Sequence, residues 1–198
     1  MDCSNMIEDL IKKNRSCRRF YQNHSINIEM LNQLVNLARL SASAANLQPL
    51  RYILSCDAST NSEIFSCLTW AAYLKDWAGP VEGERPSAYI IILGDTELTK
   101  DFWCDHGIAA QSILLGAREK GLAGCMIGLI NKEKLRKILS IESKYRIMLV
   151  LAIGKPKEEA AIEKLGADGD IKYWRDENQI HHIPKRGLQD IIIKSYTR

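Results

Sequence analysis

Two short segments of this chain carry residue types and spacings that could do chemistry. Ser41-Ala-Ser-Ala-Ala-Asn-Leu-Gln-Pro49 sets small residues beside Ser43, Asn46 and Gln48. Small residues let a backbone approach a flat ligand, and amide side chains both donate and accept, which suits the edge of a heterocycle. Read alone, the segment is equally a polar loop closed by Pro49, which stops a helix and starts an extended exit. Upstream, Asn14-Arg-Ser-Cys-Arg-Arg19 places Arg15 and Arg18 three residues apart, with Ser16 between them. Guanidinium forks suit phosphate oxygens, and a serine hydroxyl adds a donor. An isolated pair of this kind is also an ordinary solvated basic turn.

Other motifs narrow the chemistry. Trp70, Tyr73 and Trp77 recur at i, i+3 and i+7, one face if the segment is helical. They read either as core or as an aromatic wall against which a planar molecule stacks. Lys75 falls off that stripe and could point at a ligand. Gly121 to Gly128 has the spacing G-x-x-G-x-x-x-G and follows a helical pattern. A dinucleotide fingerprint needs G-x-G-x-x-G after a strand, so this is instead a backbone turn that permits close approach. No Ser-His-Asp set, paired-carboxylate motif or activated cysteine stands out. Such a chain leaves the chemistry to a cofactor.

Composition sets the limits. With 198 residues, the chain suits one well-buried core and is short for two domains. Its 46% hydrophobic and 26% charged content is that of a soluble globular protein. Net charge is +3, from 27 basic and 24 acidic residues. That is too weak to indicate nucleic acid, and no basic stripe with interleaved aromatics occurs. The run Lys132-Glu-Lys-Leu-Arg-Lys137 reads as the solvated face of a helix, with Leu135, Ile138 and Leu139 turned inward. Six cysteines (Cys3, Cys17, Cys56, Cys67, Cys104 and Cys125) form no CxxC pair. They read as reduced thiols of a cytoplasmic protein. His181 and His182 are adjacent, so on a strand they face opposite ways and cannot chelate together. No metal site is expected. Met1-Asp-Cys-Ser lacks the pattern of a secretory signal, and no apolar run approaches the roughly 20 residues that span a bilayer. No membrane partner is expected.

The elements that must position these motifs follow from periodicity. Ile28, Leu31, Leu34, Val35 and Ala38 mark a helix with Asn27 as N-cap. Tyr52–Ser55 reads as a short strand, 61–76 as a helix leading into a lid, and Ala88–Leu93 as a strand buried on both faces. Asp101 to Lys120 reads as one long helix ended by Gly121. Residues 131–140 form another helix, and Arg146–Ile153 a second buried strand. About 40 residues of weakly patterned tail end in an amphipathic stretch over 187–193. This order suits a layered α/β or α+β domain. Gly107, Ala110, Gly116, Ala117 and Gly121 give the long helix a small-residue face, for packing on its own sheet or on another subunit.

Arg-Ser-x-Arg followed by Ser-x-x-Asn-x-Gln-Pro resembles the nitroreductase-like flavoprotein family. Asp105-His-Gly-Ile-Ala-Ala-Gln111, Leu114-Leu-Gly-Ala117 and Gly121–Gly128 resemble its central helix and the turn under the flavin. His181-His-Ile-Pro-Lys-Arg-Gly-Leu188 resembles its C-terminal basic motif. The likeness runs from about residue 7 to 193. Ala42 stands where the family often has proline, and Asn14 where many members have another basic residue.

The resemblance implies an α+β fold with a mostly antiparallel sheet between helices. It also implies an intertwined homodimer built of one domain, residues 1–198, with 155–198 as a tail wrapping the partner subunit. It implies FMN as cofactor. Arg15, Ser16, Lys185 and Arg186 would hold the phosphate, and Arg18 the ribityl chain and the N1/O2 edge. Ser43, Asn46 and Gln48 would reach the ring from the partner subunit. The backbone at Gly128 and Leu129 would face N5 and O4, with Trp70, Tyr73 and Trp77 on the substrate side. The expected activity is that of an FMN-dependent NAD(P)H oxidoreductase. It would pass hydride from NADH or NADPH through flavin N5 to an electron-poor small molecule, nitroaromatic or quinone-like. A flavin-binding redox sensor or flavin store without turnover is the alternative, and a cofactor-free interaction protein the third class.

Overall fold

The computed structural model describes residues 6–71, 73–74 and 76–197. Helices α1 (Met6–Lys13) and α2 (Ile28–Leu40) come first, then strand β1 (Leu50–Ser55), helix α3 (Ala58–Phe65) and strand β2 (Ala88–Asp95). Helix α4 (Asp105–Glu119), strand β3 (Ala123–Ile127), helix α5 (Lys132–Ile138) and strand β4 (Tyr145–Gly154) complete the main layer. The tail adds β5 (Ala160–Lys164), β6 (Trp174–Arg175), β7 (His181–Lys185) and the short helix α6 (Leu188–Ile191).

Strands β1-β2-β4-β3 form one sheet in that order, every pair antiparallel. Side chains alternate across a strand, so one apolar run can feed two cores. Ile90 and Ile92 of β2, with Leu151 and Ile153 of β4, pack on α2 and α4. Tyr89, Ile91 and Leu93, with Val150 and Ala152, belong to a second core with Ile64 of α3 and Leu135 of α5. Strands buried on both faces explain the continuous apolar runs in the sequence. The α+β reading with a mostly antiparallel sheet between helices therefore holds. Asn27 caps α2 as expected, its side chain accepting from the Met30 N–H at 2.9 Å.

Three sequence expectations need correction. The helix placed over 61–76 is α3, and it ends at Phe65. Beyond it the chain pairs at long range. Leu68 bridges Ile130, and the Asn131 N–H donates to the Cys67 carbonyl at 2.8 Å. Trp70, Tyr73 and Trp77 therefore do not share a helical face. The long helix begins at Asp105 rather than Asp101 and is closed by Lys120 and Gly121, the latter at φ 74°. Its small-residue face serves its own neighbour at one end: a Cβ on Gly116 would lie 2.1 Å from Leu37 of α2. Gly107, at the other end, has open space above it. The tail is not weakly structured. Residues 160–185 form a second sheet, β5-β7-β6, with β5 and β7 parallel and β6 antiparallel to β7. It lies against its own chain. Beyond it, Leu188, Ile191, Ile193 and Tyr196 stand exposed.

Strand β3 lies at the edge of the main sheet, and the basic segment covers that edge. The Cys17 N–H donates to the Gly124 carbonyl at 2.9 Å, and Phe20 bridges Pro156. Arg19 fastens the segment through a forked pair with Glu84, at 2.6 and 2.7 Å, and Lys157 joins the same carboxylate at 2.9 Å. The hydrogen bonds from Arg19 hold the Glu84 carboxyl down at about 2.

The second sheet is clamped by His182. Its Nδ1 meets the Glu163 carboxylate, its Nε2 lies 3.2 Å from Asp176 Oδ2, and the Trp174 ring stacks on it at 4.2 Å. The Asp176 hydrogen bond, with Glu163 beside it, raises the imidazole above its ordinary 6.5. A group raised on folding stabilises fully below its unfolded value and loses that contribution as pH climbs through its folded value. Amide protection across 181–185 is therefore expected to weaken as pH rises above 6.5, in hydrogen exchange corrected for intrinsic rates. His182→Gln should flatten that dependence. A parent whose protection stays constant would show that His182 is no clamp.

Gly124 has a second role, in packing. A Cβ there would sit 2.5 Å from the Ala152 carbonyl oxygen and 2.6 Å from Leu114. Backbone cannot yield as a flexible side chain does. Gly124→Ala is expected to cost about 1–3 kcal/mol of stability, read as a lower urea midpoint at unchanged slope. A midpoint equal to the parent's would mean the strands separate without strain.

Candidate functional site

Pairing of residues 16–18 with the edge of β3 carries Arg18 under the second sheet. Arg18 is 8% exposed, yet no carboxylate lies within 4 Å of its guanidinium among the described residues. Its neighbours are His181 of β7, with Nη1 to Nε2 at 3.3 Å, and the Tyr173 ring, 4.8 Å from the guanidinium carbon to the centroid. The nearby buried acid is otherwise engaged. Glu158 receives the Arg18 backbone N–H and pairs with Arg175 at 2.8 Å. A buried cation left without a counter-charge is costly and calls for an anionic or strongly accepting partner.

A cleft of about 250 Å³ opens at this point, lined by Asn14, Arg15, Ser16, Arg18, Gln111, Leu114, Gly124, Met126, Tyr173, His181, Ile183 and Lys185. A second cleft of about 170 Å³ is lined by Thr69, Trp70, Ala71, Cys125, Ile127, Gly128 and Leu129. The two share Arg18, Met126 and Tyr173. Together they make one trough, cationic at one end and apolar with exposed backbone at the other. Orphaned polar atoms mark it: Arg15 Nε, Trp70 Nε1 and His181 Nδ1 are buried without a hydrogen-bond partner. Three cations, a serine hydroxyl and a flat apolar end suit a ligand with a phosphate and a planar heterocycle, so these residues fit FMN.

The structure sorts the expected residues. Arg15, Ser16, Arg18 and Lys185 meet in the cationic cleft, and Gly128, Leu129 and Trp70 line the apolar one. Arg15 also donates to the Ile11 carbonyl at 2.7 Å, at the end of α1. Arg186 is exposed and does not line the trough. Trp70 is a core residue, 6% exposed, whose edge reaches the cleft. Tyr73 stands over Tyr173 with ring centroids 5.1 Å apart, and Trp77 lies beneath Arg175 at 4.8 Å. Both are tied to the second sheet rather than to a helix. Lys75 lies outside the described residues.

The other expected ring contacts, Ser43, Asn46 and Gln48, do not reach this trough within one chain. Ser43 and Gln48 line a separate cleft with Arg51, Tyr52 and Asp105. The buried Asp105 carboxylate accepts from Ser43 Oγ at 2.6 Å and from the Ala44 N–H at 3.0 Å. Ser43 Oγ in turn accepts from the Gln48 N–H at 2.9 Å. Ser43 is thus the fastener of the loop. Ala45, Asn46 and Gln48 all have positive φ (49°, 55° and 50°), and Asn46 and Gln48 are exposed. Left-handed backbone at non-glycine residues is strained, and such strain clusters where a loop is held for a purpose.

Tyr173, His181, Gln111 and Met126 were not expected as lining residues. The sequence signal for the first two was present: aromatic and histidine residues, Tyr173-Trp174 and His181-His182, inside an otherwise polar tail. No helix among the described residues is long and apolar enough to cross a membrane.

The fold agrees with comparison to known proteins. A protein of Archaeoglobus fulgidus, provisionally named NADH dehydrogenase/NAD(P)H nitroreductase, is 28% identical over 149 residues, 71% of this chain and 80% of its own. The solved structure of an FMN-dependent nitroreductase from Clostridium difficile R20291 matches with a TM-score of 0.62 at 24% identity, covering 76% of this chain and 87% of that one. A structure from Clostridium acetobutylicum, provisionally named NADH oxidase, matches at 0.63 and 21% identity over 95% of this chain and all of its own. Residues 11–155, from within α1 to the end of β4, match the Nitroreductase family as a whole. The chain belongs to the nitroreductase family.

Proposed function

We propose that this protein is an FMN-dependent oxidoreductase, drawing electrons from NADH or NADPH and delivering them to an electron-poor acceptor such as a nitroaromatic or a quinone. The observation that carries the reading is the buried Arg18, with no carboxylate within 4 Å among the described residues and open to a trough that also holds Arg15, Ser16 and Lys185. The names of the relatives support it, one being FMN-dependent and another an NAD(P)H nitroreductase. FMN would supply two-electron chemistry at its N5.

The protein's part is binding, orientation and charge. Arg15, Ser16 and Lys185 hold the phosphate, with Arg186 next in chain. Arg18 would hold the polar edge of the ring and stabilise negative charge there. Backbone N–H groups near Gly128 and Leu129 would hold the reactive edge. Trp70 and Tyr73 border the side where nicotinamide or acceptor stacks, and Trp77 anchors that wall through Arg175. A second copy of the chain completes the site by presenting Asn46 and Gln48 from the loop that Asp105 fastens. The exposed apolar arm beyond β7 reaches across to it, and the assembly works as a homodimer in the cytoplasm.

FMN rather than FAD is expected to copurify, as read by acid release and chromatography, and sedimentation of the loaded protein should give a dimer. NADH or NADPH should bleach the flavin, and an acceptor should restore it. Flavin that binds but never bleaches would make the protein a sensor or store instead. Arg18→Gln should lower the midpoint potential at saturating FMN. A charged hydrogen bond is worth about 1–3 kcal/mol, and 1.4 kcal/mol corresponds to about 30 mV for two electrons, so the shift is tens of millivolts. Arg15→Gln should weaken FMN binding with little change in potential. Equal potentials in parent and Arg18→Gln would remove Arg18 from the ring.

A further inference from the structure

The contact between Arg18 and His181 decides where the histidine proton sits. Arg18 Nη1 and His181 Nε2 are 3.3 Å apart, and both residues are buried. A guanidinium has no lone pair to offer, so it can only donate. His181 Nε2 must therefore accept, which leaves the ring proton on Nδ1. Burial, with Arg18, Arg175 and His182 nearby, pushes the imidazole down to about 4 and keeps it neutral.

The Nδ1–H so defined is a buried donor with no acceptor among the described residues. Such orphans are rare in native proteins. The Tyr173 ring lies 5.0 Å away by centroid, tilted at 52°, and offers at best a weak π acceptor. The residue is 1% exposed, and it lines the cationic cleft beside Arg18. Its position is rigid. Its backbone N–H donates to the Glu159 carbonyl at 2.9 Å, and it is paired with Ala160 of β5 and Arg175 of β6. Strand alternation sends His182 to the opposite face, into its own clamp with Asp176.

We propose that His181 is a cofactor-binding residue, a neutral donor whose Nδ1–H, fixed in one tautomer by Arg18, hydrogen-bonds an acceptor atom of the flavin bound in this cleft. The pair then offers one charged and one neutral donor side by side, a pattern that selects a ligand edge with adjacent acceptors, such as the carbonyl and imine of a flavin pyrimidine. The inference rests on the FMN reading above. It adds a contact from the tail sheet, which lies beyond the residues matched to the family.

Two substitutions separate this role from simple packing. Asparagine can keep a donor at the δ position, whereas glutamine can keep only the acceptor that faces Arg18. His181→Gln should weaken FMN binding about tenfold or more in a fluorescence titration and lower the midpoint potential. His181→Asn should stay within about threefold of the parent. In the parent labelled with nitrogen-15 histidine, FMN should shift the Nδ1–H proton of His181 downfield and slow its exchange, a readout that needs no variant to fold. Equal losses in both variants, the reverse order, or an Nδ1–H signal indifferent to FMN would overturn the assignment. A parent that takes up no FMN would instead overturn the functional reading, and this inference with it.

Discussion

A guanidinium held out of water, with no carboxylate beside it among the described residues, is the constraint around which this structure is arranged. Desolvating a cation costs several kcal/mol unless something repays it. Arg18 has an aromatic ring, a neutral histidine and a cleft. The acid that could have neutralised it, Glu158, is held by Arg175. Arg18 can stay buried because its backbone is fixed on three sides. Cys17 pairs with β3, Glu158 takes the Arg18 N–H, and Arg19 is forked onto Glu84. Three neighbouring arginines thus have three different roles. Arg19 fastens, Arg18 has no counter-charge within 4 Å among the described residues, and Arg15 sits at the cleft mouth beside the end of α1.

The second sheet makes this arrangement possible. It brings Tyr173 and His181 over Arg18 and sends Arg175 beneath to Glu158 and across to Trp77. The Tyr73 ring packs tilted against Tyr173. One small sheet therefore links the basic segment and the trough to Tyr73 and Trp77. This cap lies beyond residue 155, where the family match ends.

The loop at 41–48 shows the opposite economy. It is tightly organised, with Asp105 binding Ser43 and Ala44 and three non-glycine residues at positive φ, yet Asn46 and Gln48 do not line the trough of their own chain. Left-handed backbone at non-glycine residues is strained, and the Asp105 contacts hold it in place with Asn46 and Gln48 left outward.

Local pattern was enough for most of the main layer, but not for β3, whose residues read as a backbone turn. Runs such as Ala88–Leu93 and Arg146–Ile153 can only be buried on both faces, Asn27 caps whatever helix follows it, and adjacent histidines on a strand must diverge. The cationic end of the site was also readable, because Arg15, Ser16 and Arg18 are close in sequence and Lys185 lies in a recognisable basic motif. What the sequence could not decide is whatever depends on contacts between distant residues. The helix over 61–76 stopped at Phe65 because Leu68 and Cys67 found partners at Ile130 and Asn131. The tail became a sheet because parallel pairing of β5 with β7 spans some twenty residues and leaves no periodic trace. Which arginine would be neutralised and which left charged depended on where Glu84 and Glu158 came to lie. No sequence spacing encodes that, since a buried charge is defined by what surrounds it in three dimensions.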